Sequence, residues 1–396
     1  MASGSAARTQ GEPLRGTRPA NRRELIVRAA AELFHRNGYA KVAMGEVAEA
    51  VAIGPSALYR HFRGKQDLLD AVVGDALHTV EDALRSATVE NLAATMAKVA
   101  LERREIGILI RRESRQLSVP RRRVHRELLD RIGSGVAELI RTRRPELGVE
   151  ESELLAWSAL AVVSSVSHHR LSLPDPESPT LLTELVTAVI DTPITLPAAH
   201  RARAGRRPAL TMYSRREALL AEAVRLFARD GFAGVSMEDI GAGIGIAGPS
   251  VYNHFAVKSE LLSAAMFRGG EWLRMEMARA FADAADARDG LRRVLTGYRA
   301  FVFGNPDLIE VLVSESMHLP ESDRHRARAT QHDYIAEWVH LAVRIHPAWD
   351  PVSARIRVQA VQTMINDISL LPHLSARPGV DDALVTIGAR LLMISE

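Results

Sequence analysis

Three glycines in the stretch GAGIGIAGPSVYNHF, Gly243, Gly245 and Gly248, stand at the G-x-G-x-x-G spacing that cradles a dinucleotide pyrophosphate. Such a loop must follow a buried β-strand, which aims the next helix N-terminus at the phosphates. The preceding residues read as a helix instead, because Leu219, Ala223, Leu226 and Phe227 recur at helical spacing with charges between them. The glycines therefore lack the context of a cofactor loop. A second grouping, Asp333, Glu337 and His340, shares one helix face and has metal-ligand chemistry. Its opposite face, Ile335, Trp338, Leu341, Ala342 and Ile345, is apolar, so the acidic side reads as the solvated side of an amphipathic helix. With no Walker loop, nucleophile elbow or H-E-x-x-H motif, the expectation is a protein that is not an enzyme and that carries no metal or cofactor.

A different chemistry is carried by two short stretches, PSALYRH from Pro55 and GPSVYNH from Gly248. Arg60 has the fork to grip guanine O6 and N7, Asn253 has the amide to pair adenine N6 and N7, and Ser56 and Ser250 are small and adaptable. Tyr59, Tyr252, His61, His254, Lys65 and Lys258 suit phosphate oxygens. These residues recur at one offset of 193, which also pairs Phe34 with Phe227, Gly38 with Gly231, Met44 with Met237, Ile53 with Ile246 and Phe62 with Phe255. A gapless repeat of this length is one structural unit present twice. The same shift sets Gly243, Gly245 and Gly248 opposite Ala50, Ala52 and Pro55, so the glycines belong to a tight turn between helices rather than to a phosphate cradle.

Each copy reads as three helices. The first runs from Arg23 to about Arg36, buries Ile26, Ala30, Leu33 and Phe34, and ends at Gly38 as a left-handed cap. The second starts near Ser236 in copy two, where Ser236 and Asp239 have capping-box spacing, and near Ala43 in copy one, which has no hydroxyl. The third runs from Pro55 to about Phe62, with proline suited to its first turn. Two short helices joined by a tight turn, the second bearing polar residues for a major groove, make a helix-turn-helix.

Composition sets the wider frame. With 396 residues, 47% hydrophobic and only 5% aromatic, the chain can bury two ordinary cores and favours an all-α fold. No cysteine is present, which excludes disulfides and Cys-ligated zinc and makes the cytoplasm the default location. Neither a secretory signal nor an apolar run of membrane-spanning length appears, so no membrane partner is expected. Net charge is only +3, but arginines gather in RGTRPANRR and HRARAGRRPALTMYSRR, just ahead of the two copies.

The two copies, AAELFHRNGYAKVAMGEVAEAVAIGPSALYRHFRGKQDLL and AVRLFARDGFAGVSMEDIGAGIGIAGPSVYNHFAVKSELL, both resemble the DNA-binding domain of the TetR family of transcriptional regulators. The resemblance implies a chain of two tandem TetR-like units, each a three-helix DNA-binding domain followed by a helical effector and dimerisation domain. It implies that Pro55, Ser56, Ala57, Tyr59, Arg60 and His61, with Gly248, Pro249, Ser250, Tyr252, Asn253 and His254, face a double-stranded DNA operator, and that Lys65 and Lys258 meet phosphate. The departures are Ala43, Gly54, Ala57 and Ala247, which stand where hydroxyl residues are usual.

The expected division is a basic tail over 1–20, DNA-binding domains over 21–72 and 213–265, helical effector and dimerisation domains over 73–192 and 266–396, and a linker over 193–212. Glu113 and Glu315 align the two helical halves at an offset of 202, so these have diverged further than the DNA-reading parts. Apolar stripes at Leu182, Leu185, Val186 and Val189, and at Leu384, Ile387, Leu391 and Leu392, predict an intramolecular four-helix bundle and hence a pseudo-dimer within one chain, with a homodimer of chains as the rival. Trp157, His168 and His169 in the first half, and Trp272, Met275, His318 and Trp338 in the second, are the candidates for lining a pocket for a small-molecule effector. The function expected is a repressor reading an imperfect palindrome with unlike half-sites. The alternative keeps DNA binding in one unit and leaves the other as a partner-binding or dimerising module.

Overall fold

The computed structural model describes residues 21–197 and 212–395; the basic tail expected over 1–20 and most of the expected linker lie outside the described residues. Every regular element among the described residues is helical, as the low aromatic content and helical periodicity require. In the first half the α-helices are α1 (Arg22–Asn37), α2 (Met44–Ala50), α3 (Pro55–Leu58), α4 (Lys65–Arg85), α5 (Leu92–Glu102), α6 (Ile106–Arg111), α7 (Val119–Arg143), α8 (Val149–Ser164) and α9 (Glu177–Ile190). The second half continues with α10 (Arg215–Asp230), α11 (Met237–Gly243), α12 (Gly248–Val251), α13 (Lys258–Ala282), α14 (Ala287–Gly304), α15 (Pro306–Ser314), α16 (Glu321–Ile345), α17 (Pro351–Ser369), α18 (Pro372–Ser375) and α19 (Val380–Leu391).

α1 forms because Ile26, Val27, Ala30, Ala31 and Phe34 fall on one stripe, and all are buried. Leu33, at the edge of that stripe, is only half-buried. α10 repeats the pattern with Leu219, Ala223, Leu226 and Phe227. Gly38 and Gly231 end these helices with φ of 79° and 78°, and their N–H groups bond Phe34 O and Phe227 O. Their ψ values, 144° and 155°, depart from the expected left-handed helical cap and enter an extended region open only to glycine. The chain thus leaves α1 sharply, and a 3-10 turn over Tyr39–Lys41 follows.

The expected domain boundaries at 72 and 265 fall inside continuous helices, α4 and α13. The chain divides into two compact units, one of Met1–Glu81 and Glu105–Leu129, the other of Asp82–Arg104 and Asp130–Glu396. This division does not follow the tandem repeat. The reason lies in the packing of the second unit, where α5 packs on α9 and α8, and α8 and α9 pack on α17 and α19.

Those last four helices form a bundle, α8 against α17 and α9 against α19, with α8·α9 and α17·α19 completing it. Leu182, Leu185, Val186 and Val189 of α9 are fully buried, as are Leu384, Ile387 and Leu391 of α19 and Leu392 just beyond it. Gly388 permits the close approach, since a Cβ there would stand 3.0 Å from Leu295 and 3.2 Å from Val361. Polar contacts pin the register: Arg357 Nη2 donates to Glu184 Oε2 at 3.2 Å and Ser164 Oγ to Asp367 Oδ2 at 3.3 Å. α17 itself starts where Asp350 Oδ1 accepts the N–H groups of Val352 and Ser353.

Candidate nucleic-acid interface

In the first unit the turn between α2 and α3 is closed by Ala52 N–H to Glu49 O and Ile53 N–H to Ala48 O, both 2.9 Å. Ala52 sits at φ 54°, in the left-handed region. α3 itself is shorter than expected, four residues, but hydrogen-bonded turns carry the chain on through His61 N–H and Phe62 N–H to Leu58 O. Leu58 (0% exposed) and Phe62 (1%) anchor this segment from beneath, with the Arg23 guanidinium 5.1 Å over the Phe62 ring. What remains outward is the expected set: Pro55, Ser56, Tyr59, Arg60 and His61 are exposed, Tyr59 by 54%, and Ala57 is half-exposed.

The second unit builds the same surface with different chemistry. Gly245 takes φ 74° at the position of Ala52, and Gly241 lies so close to the next helix that a Cβ would meet Val251 Cγ2 at 2.9 Å. Ser236 Oγ accepts from Asp239 N–H at 3.1 Å and Asp239 Oδ2 accepts from Ser236 N–H at 2.8 Å, a complete capping box. In copy one only the Glu46 arm exists, bonding Ala43 N–H, because alanine has no acceptor to return. Val251 and Phe255 are the buried anchors, Arg216 lies 4.2 Å over the Phe255 ring, and Pro249, Tyr252 (50%) and Asn253 are exposed while Gly248, Ser250 and His254 are half-exposed.

Lys65 and Lys258, expected on phosphate, already have partners. Lys65 Nζ bonds Ala40 O at 3.2 Å and lies 4.3 Å over the Tyr39 ring; Lys258 Nζ bonds Phe232 O at 2.7 Å and Val235 O at 2.6 Å and lies 4.3 Å over the Phe232 ring. Burial holds both ammonium groups below the usual lysine range, opposed by Glu113 and Glu46 in the first and by Asp239 and Glu315 in the second.

Beneath each interface sits a buried glutamate whose role the sequence did not announce. Glu113 is 1% exposed; its Oε2 accepts Tyr39 N–H at 3.1 Å and its Oε1 accepts Arg112 Nε–H at 2.6 Å. Arg112 Nη2 also reaches Phe34 O and His35 O, the last carbonyls of α1, so one ion pair ties the α6 end to the α1 end. Glu315, 3% exposed, is the counterpart, with His318 Nε2 at 3.5 Å and Ser314 in place of the arginine. The only hint in the sequence was the pairing of Glu113 with Glu315 across the repeat.

The effector candidates are spread over several surroundings. Trp157 is buried in the bundle, with its ring 5.7 Å from His373, while His168 is exposed beyond α8. Trp272 is 40% exposed and stacked on Phe301 at 4.7 Å, and Met275 is 57% exposed further along the same helix. His318 stacks on Phe232 at 5.1 Å beneath the second helix-turn-helix. Trp338 is fully buried, edge-on to Tyr298 and Tyr334, whose hydroxyls burial pushes up out of their usual range. Among the described residues no group of three or more potential ligands could hold a metal ion, and Asp333, Glu337 and His340 form no such group. Nor is any described helix long and apolar enough to cross a membrane.

Both helix-turn-helix segments match the N-terminal domain of the bacterial regulatory proteins of the tetR family, over residues 26–72 and 219–265. Both helix-turn-helix domains are of the tetR-family type. A tetracyclin repressor-like C-terminal domain matches residues 93–191 as well, so the first half is recognisable nearly throughout and the second half chiefly by its DNA-reading part. The chain is 33% identical over 66 residues to the HTH-type transcriptional regulator TtgR of Pseudomonas putida, 17% of this chain and 31% of that one. It is 37% identical over 51 residues to the HTH-type transcriptional regulator UidR of Escherichia coli, 13% of this chain and 26% of that one. The chain thus spans about a third or less of the length of the curated relatives it matches. A TetR-family regulator from Bordetella parapertussis superposes with a TM-score of 0.42 at 18% identity, covering 45% of this chain and 95% of that one. The described chain thus carries two tetR-type helix-turn-helix domains in tandem, the first followed by a tetracyclin repressor-like C-terminal domain.

Proposed function

We propose that this regulator is a repressor whose two helix-turn-helix units read one imperfect palindromic operator, and that a small-molecule effector held in the helical halves releases it. The observation that carries the reading is the contrast at equivalent exposed positions, Arg60 in one unit and Asn253 in the other, on scaffolds otherwise built alike. A guanidinium fork selects guanine and a carboxamide selects adenine, so the two half-sites differ. The α8–α9–α17–α19 bundle supports a pseudo-dimer, since it supplies within one chain the association that two subunits ordinarily make. Release by an effector is supported by the continuous helices α4 and α13 and by the buried Glu113 tie, which join each DNA-side core to helices beyond it.

The test is selection of bound fragments from random duplex DNA, followed by titration of the selected site. Arg60→Ala and Asn253→Ala should each weaken binding by about 1–3 kcal/mol and relax the base preference at opposite half-sites. Equal affinity for a perfect palindrome would overturn the proposal. A loss confined to one variant would assign DNA reading to that unit alone.

A further inference from the structure

The internal repeat makes the two poles of the bundle comparable. α8 begins at Val149 and α17 at Pro351, 202 positions on, so Glu153 and Arg355 occupy equivalent places on their helices. At the first pole Glu153 neutralises what the segment after α17 presents. Arg377 Nη2 donates to Glu153 Oε2 at 2.6 Å, and His373 Nε2 lies 3.6 Å from Glu153 Oε1.

At the second pole the segment after α8 likewise brings a histidine, His169, but the equivalent helix position now holds a cation. His169 Nδ1 accepts Leu171 N–H at 3.2 Å, so the neutral ring carries its proton on Nε2, and that nitrogen is buried without a partner among the described residues. Arg104 closes the loop over it, Nη2 donating to Leu171 O at 2.7 Å and Nε to Val166 O at 3.4 Å. Burial, then Arg104, His168 and Arg355, push the imidazole down to about 4; no carboxylate is among the groups that shift it. Arg104 is itself held below its usual range by burial alone. Arg355 makes no hydrogen bond or ion pair among the described residues.

The buried His169 Nε2 lacks a partner among the described residues, Arg104 closes the same loop, and Arg355 is near enough to act on the imidazole charge, so the local excess of positive charge is unfavourable unless an anion offsets it. We propose that Arg104, His169 and Arg355 form an oxyanion-binding site for the carboxylate or phosphate group of a small molecule. The site stands where α17 of the second half packs on the 3-10 segment Ser165–His168 of the first, so its occupant joins the two halves of the chain. The inference rests on reading the helical halves as effector-binding and names the chemistry of that effector.

The experiment uses the full chain without DNA. Inorganic phosphate and acetate are titrated separately at constant ionic strength, with acetamide as the neutral control, while the His169 imidazole is followed by NMR and unfolding by calorimetry. Phosphate or acetate, and not acetamide, should raise the His169 pKa by about one unit or more and raise Tm. A response to one anion alone identifies the group the site takes. Arg355→Glu, which installs the counter-charge of the other pole, should raise the His169 pKa without anion and abolish the anion response; Arg355→Gln should only weaken it. A His169 pKa unmoved by both anions in the parent chain overturns the proposal, as does an Arg355→Glu protein that responds like the parent. Either failure leaves the DNA-reading units untouched, since no DNA enters the measurement.

Discussion

Ala52 and Gly245 hold the same inter-helix turn with the same sign of φ, 54° and 74°, one with a Cβ and one without. The left-handed region costs a residue with a Cβ roughly 1 kcal/mol, and nothing lies within 4 Å of a Cβ built at Gly245, so backbone strain is the whole difference. Ala52→Gly should therefore stabilise the chain by up to about 1 kcal/mol and Gly245→Ala should destabilise it similarly, read as urea midpoints. An Ala52→Gly protein less stable than its parent would refute the account.

The helix starts offer a matched pair. Ser236→Ala removes a side-chain acceptor from Asp239 N–H and should cost about 1 kcal/mol, while Ala43→Ser supplies the arm that copy one lacks and should gain a comparable amount. Thermal unfolding of both single variants and of the double variant checks this, and the two effects should add.

Glu113 and Arg112 test the tie between α6 and α1. Glu113→Ala leaves a guanidinium, 20% exposed, beside an unbonded Tyr39 N–H, and should cost about 3 kcal/mol. Replacing both residues by leucine should recover much of that loss. If the tie also carries the effector signal, the double variant will fold and bind DNA yet respond to effector less than its parent; measured folding and DNA release separate the two roles.

His169 predicts an acid-sensitive stability. Its pKa is near 4 in the folded chain against 6.5 for the free side chain, so between those values the unfolded chain binds more protons than the folded one. Stability from this group is complete above about pH 6.5 and declines as pH falls toward 4, by roughly 3 kcal/mol in all. His169→Gln should flatten the slope of denaturation midpoint against pH in that window, and an unchanged slope would show that the imidazole is not the group responsible.

The helix-turn-helix units were legible because two independent copies preserve their buried anchors at one offset: Phe34 with Phe227, Phe62 with Phe255 and Leu68 with Leu261 report a core that alternative folds would not demand twice. Leu182 to Val189 and Leu384 to Leu391 showed their apolar stripes for the same reason, and pack together. What could not be read were properties of backbone and burial. Gly38 and Gly231 were visible as helix ends, but not their extended ψ of 144° and 155°. For Lys65 and Lys258, expected on phosphate, spacing did not reveal the carbonyls of Ala40, Phe232 and Val235 that they bond. Glu113 looked like any surface glutamate until the α1 end was seen against it.

Helices α8, α9, α17 and α19 close on one another inside a single polypeptide. Their pairing is a first-order event, set by a tether rather than by how many molecules the cell contains, so dilution does not undo it. Every copy therefore carries both unlike helix-turn-helix units in fixed stoichiometry, and a substitution in one is never duplicated in the other. That leaves Arg60 and Asn253 free to change independently, which a pair of identical subunits could never allow.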